Sequence, residues 1–225
     1  MIKNNMTIRG YFDERIQEIR TEVVRMSNLS SEMIELAVQA ATTGNELRAQ
    51  DVIDRDDEID ELEHRIILET VQLVMREAPV ASDLRTLTST LGVIGEIEKV
   101  ADDAVKLARR SARLGKDFPG EMRSALVELS VAARNALASA SRLYVEYDAK
   151  LAQDLIDSDE NIDRMYGEAC SRITELIKSN ASDIKKYLAT MEIFHALEHI
   201  ADRSVSIAKR MRVHYEGAPS VSRAV

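Results

Sequence analysis

An internal repeat is the feature that most constrains the fold of this chain. Around Glu98 the apolar residues recur at alternating spacings of three and four, which is the period of a helix with one face against a core. The same pattern returns around Glu198, 100 residues later, and in both copies an aspartate follows one turn after the glutamate, at Asp102 and Asp202. The chain is therefore predicted to contain two copies of one helical unit.

Breaks in this pattern divide each unit into three helices. A glycine-asparagine pair at 44–45 and the proline at 79 end the first two helices, and the stretch GKDFPG at 115–120 is the strongest break in the chain. Ser82 and Ser182 are expected to cap the third helix of each unit. These signals together predict helices over residues 7–43, 46–77, 82–114, 121–146, 150–178 and 183–215.

The predicted fold is all-α, with six long helices arranged as two tandem, pseudo-symmetric three-helix bundles. Only three Pro and eight Gly residues interrupt the 225-residue chain, as long helices require. The first bundle is expected over residues 7–115 and the second over residues 119–215, with residues 216–225 as a loose C-terminal tail.

Composition argues against several classes of function. A net charge of −9 and an aromatic content of 4% without Trp argue against a general nucleic-acid binder. The single cysteine, Cys170, excludes an internal disulfide and a multi-cysteine zinc site, and it suits a reducing cytosol. Because the sequence has neither a signal-peptide pattern nor a run of 18 apolar residues, membrane association is expected only through partners or at the bilayer surface. No nucleophile elbow, Walker A loop or dinucleotide fingerprint indicates an enzyme.

Each unit also carries two pairs of acids with four-residue spacing, one pair on its second helix and one on its third. Glu98, Glu198 and Asp159 fall at positions that the helical period assigns to the core. Burying such carboxylates is costly unless a cation or hydrogen-bond donors compensate for the charge. The eight acids are Asp56, Asp60, Glu98 and Asp102 in the first unit, and Asp159, Asp163, Glu198 and Asp202 in the second.

The short loop between the second and third helices of each unit predicts that these helices are antiparallel neighbours. The two acid pairs of a unit lie about 20 residues before and after this loop, which places both pairs roughly 30 Å from the hairpin tip. Four carboxylates are therefore expected to converge in each unit. An all-oxygen ligand set suits Mg²⁺, Mn²⁺ and iron ions, with Zn²⁺ or Ca²⁺ as further options.

Other interpretations of the acids stay open at this point. With 39 acids in 225 residues, pairs at this spacing also arise by chance, so a metal-free helical scaffold would leave them solvated or paired with Arg65, Lys99 or Arg203. The sequence Glu192-x-x-His195 has the spacing of a di-iron carboxylate motif, but a ferritin-like oxidase needs two such motifs that face each other. We expect His199 to lie at the surface or to contact a metal ligand, and not to be a metal ligand itself.

Two three-helix units, each with E-x-x-A/G-D on its last helix and D-x-x-x-D on its middle helix, resemble the PhoU family. These are accessory proteins of the bacterial phosphate-specific transport system. The resemblance covers residues 11–215 and includes the sequence PVASDLR at 79–85. It implies paired helical bundles, often homodimeric, that bind divalent or ferric metal ions (Fe, Zn, Mn or Mg) through acidic motifs. The ligand role is carried over to the eight acids named above.

The same resemblance implies a regulator and not an enzyme. It would act in the cytoplasm, peripheral to the membrane, and connect the phosphate ABC transporter to a sensor histidine kinase as a negative regulator of the phosphate regulon. Two departures concern the motif itself. Lys99 or His199 follows the glutamate where the family usually has Arg, and Ala101 or Ala201 precedes the aspartate where it usually has Gly. The extra methyl group is expected to hold the helices slightly apart and to alter metal number and affinity.

Overall fold

Helices account for nearly all of the computed structural model, which describes residues 8–77 and 79–217. The prediction of an all-α fold is confirmed, and the described ranges contain no β-strand. Short 3₁₀ turns at Gly115–Asp117, Gly120–Met122 and Ala181–Asp183 connect some of the helices. The helices are α1 (Ile8–Thr43), α2 (Glu46–Asp54), α3 (Asp56–Glu77), α4 (Ala81–Leu114), α5 (Arg123–Val145), α6 (Ala149–Ser179) and α7 (Ile184–Glu216).

The predicted second helix is interrupted at Arg55, which separates α2 from α3. The Arg55 N–H donates to the carbonyl of Asp51 at 3.2 Å. The Arg55 carbonyl accepts from the N–H groups of both Glu58 (3.1 Å) and Ile59 (3.3 Å), which tightens the turn. As a result Asp56 is the first residue of a new helix, whereas α6 runs without interruption past the equivalent point of the second half.

Neither predicted serine cap is present. Helix α4 begins at Ala81, directly after an extended Val80 (φ −69°, ψ 167°), so Ser82 already lies in the first turn. In the second half Ser182 lies in a 3₁₀ turn and donates to the side-chain oxygen of Asn180 at 2.6 Å. Both predictions are wrong because the chain turns into helical geometry before it reaches the serine. Side-chain caps form instead at the starts of α2 and α6, from Asn45 and Asp148.

One continuous core runs through both halves of the chain. Helices α4 and α7 are central to it: they pack against each other, α4 also contacts α1, α2 and α3, and α7 also contacts α5 and α6. Two ion pairs between the halves, Glu96 with Arg203 and Arg110 with Glu192, define the antiparallel direction of α4 and α7. The third helix of each unit is therefore buried on more than one side.

The connection between the halves packs against this core. Phe118 and Met122 are buried, with 3% and 0% of their surface exposed. A second link joins α5 to α1, where Arg134 binds Glu35 at 2.8 Å. The division into separate bundles over residues 7–115 and 119–215 stays a prediction, since the two halves share one core.

The chain ends differ slightly from the prediction. Glu216, placed at the start of the tail, is the last residue of α7, and its carboxylate accepts a hydrogen bond from the Tyr147 hydroxyl. The predicted helix start at residue 7, the break at residue 78 and the tail over 218–225 lie outside the described residues. Within the described ranges, no helix combines the length and apolarity that crossing a bilayer requires.

Gly44 provides a test of the packing at the end of α1. Its φ is +67°, and a Cβ added there would lie 2.9 Å from the carbonyl atoms of Gly115. Gly44→Ala is expected to destabilise the protein by about 1–3 kcal/mol, because both the left-handed backbone and the contact oppose a side chain. For a chain of this length the melting temperature should fall by roughly 2–10 °C in a thermal melt.

Gly95→Ala is the matched control. Gly95 lies inside α4, and a Cβ added there meets nothing within 4 Å. Alanine is the better helix former by roughly 0.5–1 kcal/mol, so this variant should melt at a slightly higher temperature. Equal melting temperatures for the two variants would contradict the close approach at Gly44.

Candidate metal centre

Three of the predicted acids meet in the second half of the chain. Asp159 and Asp163 lie one turn apart on α6, and Asp202 faces them from α7. One ligand oxygen from each of the three lies within 4.8 Å of the others. Oδ1 of Asp159 is buried and has no hydrogen-bond partner. These three carboxylates are referred to below as the α6–α7 acid cluster.

The electrostatics of this cluster fit a bound cation. Burial raises the pKa of Asp159, and the neighbouring charges of Asp202 and Asp163 raise it further, while Lys209 partly opposes them. The carboxylate of Asp159 is therefore less favourable in the folded chain than in water. A metal ion would supply the missing partner for Oδ1 and cancel the repulsion between α6 and α7. The donor atoms are all oxygens, as hard and borderline cations prefer.

Glu198, the fourth predicted acid of this half, lies between the acid cluster and two histidines. Its side chain is 17% exposed, and its Oε2 lies 3.2 Å from His195 Nδ1. Burial raises the pKa of Glu198 and the charge of Asp202 raises it further, whereas His195 and His199 oppose this effect. The charge of Asp202 thus affects Glu198, but the polar atom in direct contact with Glu198 belongs to His195.

The first half gathers its four acids more loosely. Burial raises the pKa of Asp56, and the charges of Asp60 and Asp102 raise it further, with Arg109 opposing. Burial likewise raises the pKa of Glu98, as do Asp102 and Asp60. The acids of this half therefore interact through their charges.

The two halves differ in how closely the ligand atoms approach. Across the residues that the structure describes, both groups of three His, Cys, Asp or Glu side chains with ligand atoms within 4.8 Å belong to the second half. The break at Arg55 is the evident difference in the backbone. It makes Asp56 the first residue of α3, whereas Asp159 lies inside an uninterrupted helix.

The acids lie at the rim of the core and not within it. Asp60, Asp163 and Asp202 are exposed, and the other five are half-buried. Glu98, Glu198 and Asp159, which the helical period assigns to the core, are half-buried, so that expectation is correct only in part. Each third helix is buried along a broad stripe, and the acids occupy its margin.

The proposed ion-pair partners are engaged elsewhere. Arg65 pairs with Glu22 at 3.4 Å. Lys99 and Arg203 both pair with Glu96, at 3.5 and 3.7 Å. In the described part of the chain, no Lys or Arg nitrogen lies within 4.0 Å of any of the eight carboxylates. The alternative of direct ion pairing with these three bases is therefore wrong, although the charge of Lys99 lowers the pKa of Glu98.

The di-iron interpretation receives no support from the geometry. Glu192 pairs with Arg110 of α4, whereas His195 contacts Glu198. The two residues of the Glu192-x-x-His195 spacing thus have separate partners. The spacing occurs a second time at Glu61-x-x-His64 on α3, but both of these side chains are exposed.

The sequence prediction missed two acids near these positions. Glu63 lies near Asp60, whose charge adds to the effect of burial in raising the pKa of Glu63. Asp103, beside Asp102 on α4, is 2% exposed, and its Oδ1 accepts a hydrogen bond from Lys106 at 2.8 Å. A second apolar stripe on α4 could have revealed Asp103. It comprises Val93, Ile97, Val100, Ala104 and Leu107, all buried.

These features define a class: a duplicated all-helical protein whose halves carry acids with metal-ligand geometry or spacing. The sequence pattern of the PhoU domain matches residues 23–111 and again residues 126–211. The chain therefore belongs to the PhoU family.

Several relatives are similar over most of their length. The phosphate-specific transport system accessory protein PhoU homolog of Pseudomonas putida is 28% identical over 205 residues, which is 90% of this chain and 79% of the relative. Its counterpart in Pseudomonas aeruginosa is 27% identical over 212 residues, covering 92% and 87%.

Two crystal structures share the fold. PhoU from Pseudomonas aeruginosa superimposes with a TM-score of 0.86 at 25% identity, covering 92% of this chain and all of that chain (100%). The phosphate transport system regulatory protein PhoU from Streptococcus pneumoniae gives a TM-score of 0.84 at 23% identity, covering 92% and 98%. The prediction of two tandem, pseudo-symmetric helical units is confirmed by these matches.

The raised pKa of Asp159 predicts a pH-dependent stability in metal-free protein. The folded state favours the protonated form of Asp159. The free energy of unfolding therefore falls as the pH rises through the pKa that Asp159 has in the folded state. In the presence of a chelator, Asp159→Asn should raise the melting temperature at pH 7 by about 1–2 °C. The gain should shrink as the pH falls and vanish well below 3.8, the ordinary pKa of the group, where the wild-type acid is protonated in both states.

Asp154→Asn is the control for this measurement, since Asp154 is an exposed acid on the same helix. It should leave the melting temperature nearly unchanged across the same pH range. A drop in melting temperature for Asp159→Asn in metal-free protein at pH 7 would contradict the repulsion inferred here.

Proposed function

We propose that this protein is a metal-binding regulator of phosphate uptake, an accessory to the phosphate-specific transport system and not an enzyme. Membership of the PhoU family supports the regulatory role, as do the names of the relatives from Pseudomonas. The metal-binding part rests on one observation. Three carboxylates of the α6–α7 acid cluster converge within 4.8 Å, and the buried Oδ1 of Asp159 lacks a partner.

The eight acids are proposed to serve as two ligand sets. Asp159, Asp163 and Asp202, with Glu198 beside them, would hold a cation between α6 and α7. Asp56, Asp60, Glu98 and Asp102 would hold one between α3 and α4, after a small closure of the two helices. Iron, Zn²⁺, Mn²⁺ or Mg²⁺ would satisfy oxygen ligands of this kind. A cation at either place would tie the middle helix of a half to its central helix.

Metal analysis tests this proposal directly. Replacing Glu98, Asp102, Glu198 and Asp202 together by Ala is expected to abolish the divalent or ferric ions that purified wild-type protein carries, because each half loses half of its ligands. The matched control replaces the exposed acids Asp154 and Asp157 of α6 by Asn and should retain wild-type metal content. Metal content that is undiminished in the fourfold variant would refute the ligand assignment.

A metal-free helical scaffold is the alternative to this function. It predicts that purified protein contains no stoichiometric metal and that a chelator leaves the melting temperature unchanged. The ligand sets proposed above predict the opposite, since an ion bound only by the folded state stabilises it by mass action.

We further propose that the protein acts in the cytoplasm and reaches the membrane through partners. It would connect components of the phosphate ABC transporter to a sensor histidine kinase, and so act as a negative regulator of the phosphate regulon when phosphate is plentiful. An exposed apolar surface at the hairpin between α3 and α4 supports a contact with a protein partner. This surface, called the hairpin patch below, consists of Leu68, Val71, Met75, Val80 and Leu84.

The second half has no such surface at the same positions of its middle helix. In α6 the equivalents of Leu68, Val71 and Met75 are polar: Ser171, Thr174 and Lys178. Met75 and Val80 are the most exposed members of the hairpin patch, at 79% and 63%. Apolar side chains that are exposed on α3 and replaced by polar ones on α6 are typical of a binding surface rather than of the fold.

A pull-down from phosphate-replete cells tests the partner proposal. Wild-type protein is expected to recover a transporter component or a sensor kinase, and Met75→Glu with Val80→Glu should lose that recovery because charges oppose apolar contact. Leu47→Glu is the control, since Leu47 is 78% exposed but lies on α2, outside the hairpin patch. Recovery of neither partner class by the wild type would count against the adaptor role. A homodimer, which the family resemblance also implies, would appear in sedimentation of the isolated protein.

A further inference from the structure

Two histidines and a glutamate meet on one face of α7, beside the acid cluster. His195 and His199 are one helical turn apart, a spacing that presents two imidazoles to the same ion. Their ring centres are 3.9 Å apart. One ligand atom from each of His195, Glu198 and His199 lies within 4.8 Å of the others.

The distances are close to those of a metal site. Glu198 Oε2 lies 3.2 Å from His195 Nδ1 and 4.0 Å from His199 Nε2. Ligand atoms around a tetrahedral Zn²⁺ with bonds near 2.0 Å are separated by about 3.3 Å. The first pair already has this separation, and the second needs to close by less than about 1 Å, which a side-chain rotation provides.

Asp103 is an independent observation that points to the same place. Its side chain is 3% exposed, and its Oδ2 is buried without a hydrogen-bond partner. This oxygen lies 4.0 Å from Nδ1 of His199, whose other nitrogen is directed at Glu198. The two atoms are too far apart for a hydrogen bond, but an approach of about 1 Å would give the carboxylate–histidine pair found behind many metal-binding histidines.

The cavity beside the histidines is lined by charges of both signs. A cavity of about 420 Å³ between α4 and α7 borders His195, His199 and Asp103, which leaves room for water as a further ligand. Four basic residues also line it, but two of them are paired: Lys106 with Asp103, and Arg110 with Glu192. The other two, Arg109 and Arg113, form no ion pair within 4.0 Å among the described residues. Glu198 and the two imidazoles must therefore bind the cation against the positive charge of these two arginines.

The first half lacks this ligand set. The repeat equivalents of His195 and His199 are Gly95 and Lys99, one without a side chain and one with a cation. Nitrogen ligands favour borderline transition metals such as Zn²⁺, Co²⁺ and Ni²⁺ over Mg²⁺ and Ca²⁺, whereas carboxylates alone suit the harder ions. The two halves are thus equipped for different metals.

We propose that His195, Glu198 and His199, with Asp103 orienting His199, form a transition-metal site that is distinct from the carboxylate sets. The site binds one Zn²⁺ per chain and leaves at least one position open to water. It goes beyond the metal binding proposed above, because only Glu198 belongs to both ligand sets.

Zn²⁺ titration of chelator-treated protein by calorimetry tests this site. Replacing both His195 and His199 by Gln is expected to remove one Zn²⁺ per chain or to weaken its binding at least 100-fold. Asp103→Asn should weaken it by about tenfold, as for other carboxylates behind a metal-bound histidine. His64→Gln is the matched control, since His64 is exposed on α3 and should leave binding unchanged.

Variants of the acid cluster separate this inference from the proposed function. Asp159→Asn with Asp163→Asn should retain the histidine-bound Zn²⁺ even where other metal is lost. Wild-type stoichiometry and affinity in the double histidine variant would overturn the inference and leave the carboxylate sites standing. Loss of that same Zn²⁺ in the acid-cluster variant would overturn it as well, because the two sites would then be one.

A measurement on unmodified protein guards against a variant that fails to fold. On addition of one equivalent of Zn²⁺, the imidazole proton resonances of His195 and His199 should shift, while those of His64 and His214 stay in place. Resonances of all four histidines that are unaffected by Zn²⁺ would overturn the inference.

Discussion

The packing of α4 against α7 fixes the two central helices against which the other helices and their candidate ligands pack. Both helices are central, and both present small side chains to their neighbours: Ala101 and Ala201 are fully buried. When two long helices approach closely, their apolar faces are buried against each other. The polar residues that border those faces are then brought together. The acids of each half lie at one margin of its central helix, whereas Asp103 and His199 lie where the two central helices meet.

This arrangement explains which parts of the structure the sequence could predict. Helical period and hairpin length depend on residues close in the chain, so the helices and the convergence of Asp159, Asp163 and Asp202 were predictable. The interruption at Arg55 was not, because no Gly or Pro marks it and the backbone there tightens through its own hydrogen bonds. Contacts between the halves, such as that of Asp103 with His199, depend on how the two units dock, which a pattern within one unit does not contain.

The duplicated units differ at one place where their central helices meet. Pseudo-symmetry relates Glu96 and Arg203, which form an ion pair, to Ala196 and Asp103. The alanine offers nothing to the aspartate, so one carboxylate oxygen of Asp103 is left buried without a partner. Buried polar atoms of this kind are few in folded proteins and usually have a reason. In this protein the unpartnered oxygen faces the imidazole that only the second unit carries.

The single core that spans both halves has a consequence for how such a protein can have evolved and how it can be divided. A lone ancestral unit would have exposed the apolar side of its third helix to water, so it needed a second copy of itself to cover that surface. Fusion of two copies would keep this apolar surface buried within one chain. The residues at the contact could then differ between the two copies. A fragment cut at the connecting segment, where Phe118 and Met122 are buried, would return to that ancestral situation and self-associate or precipitate.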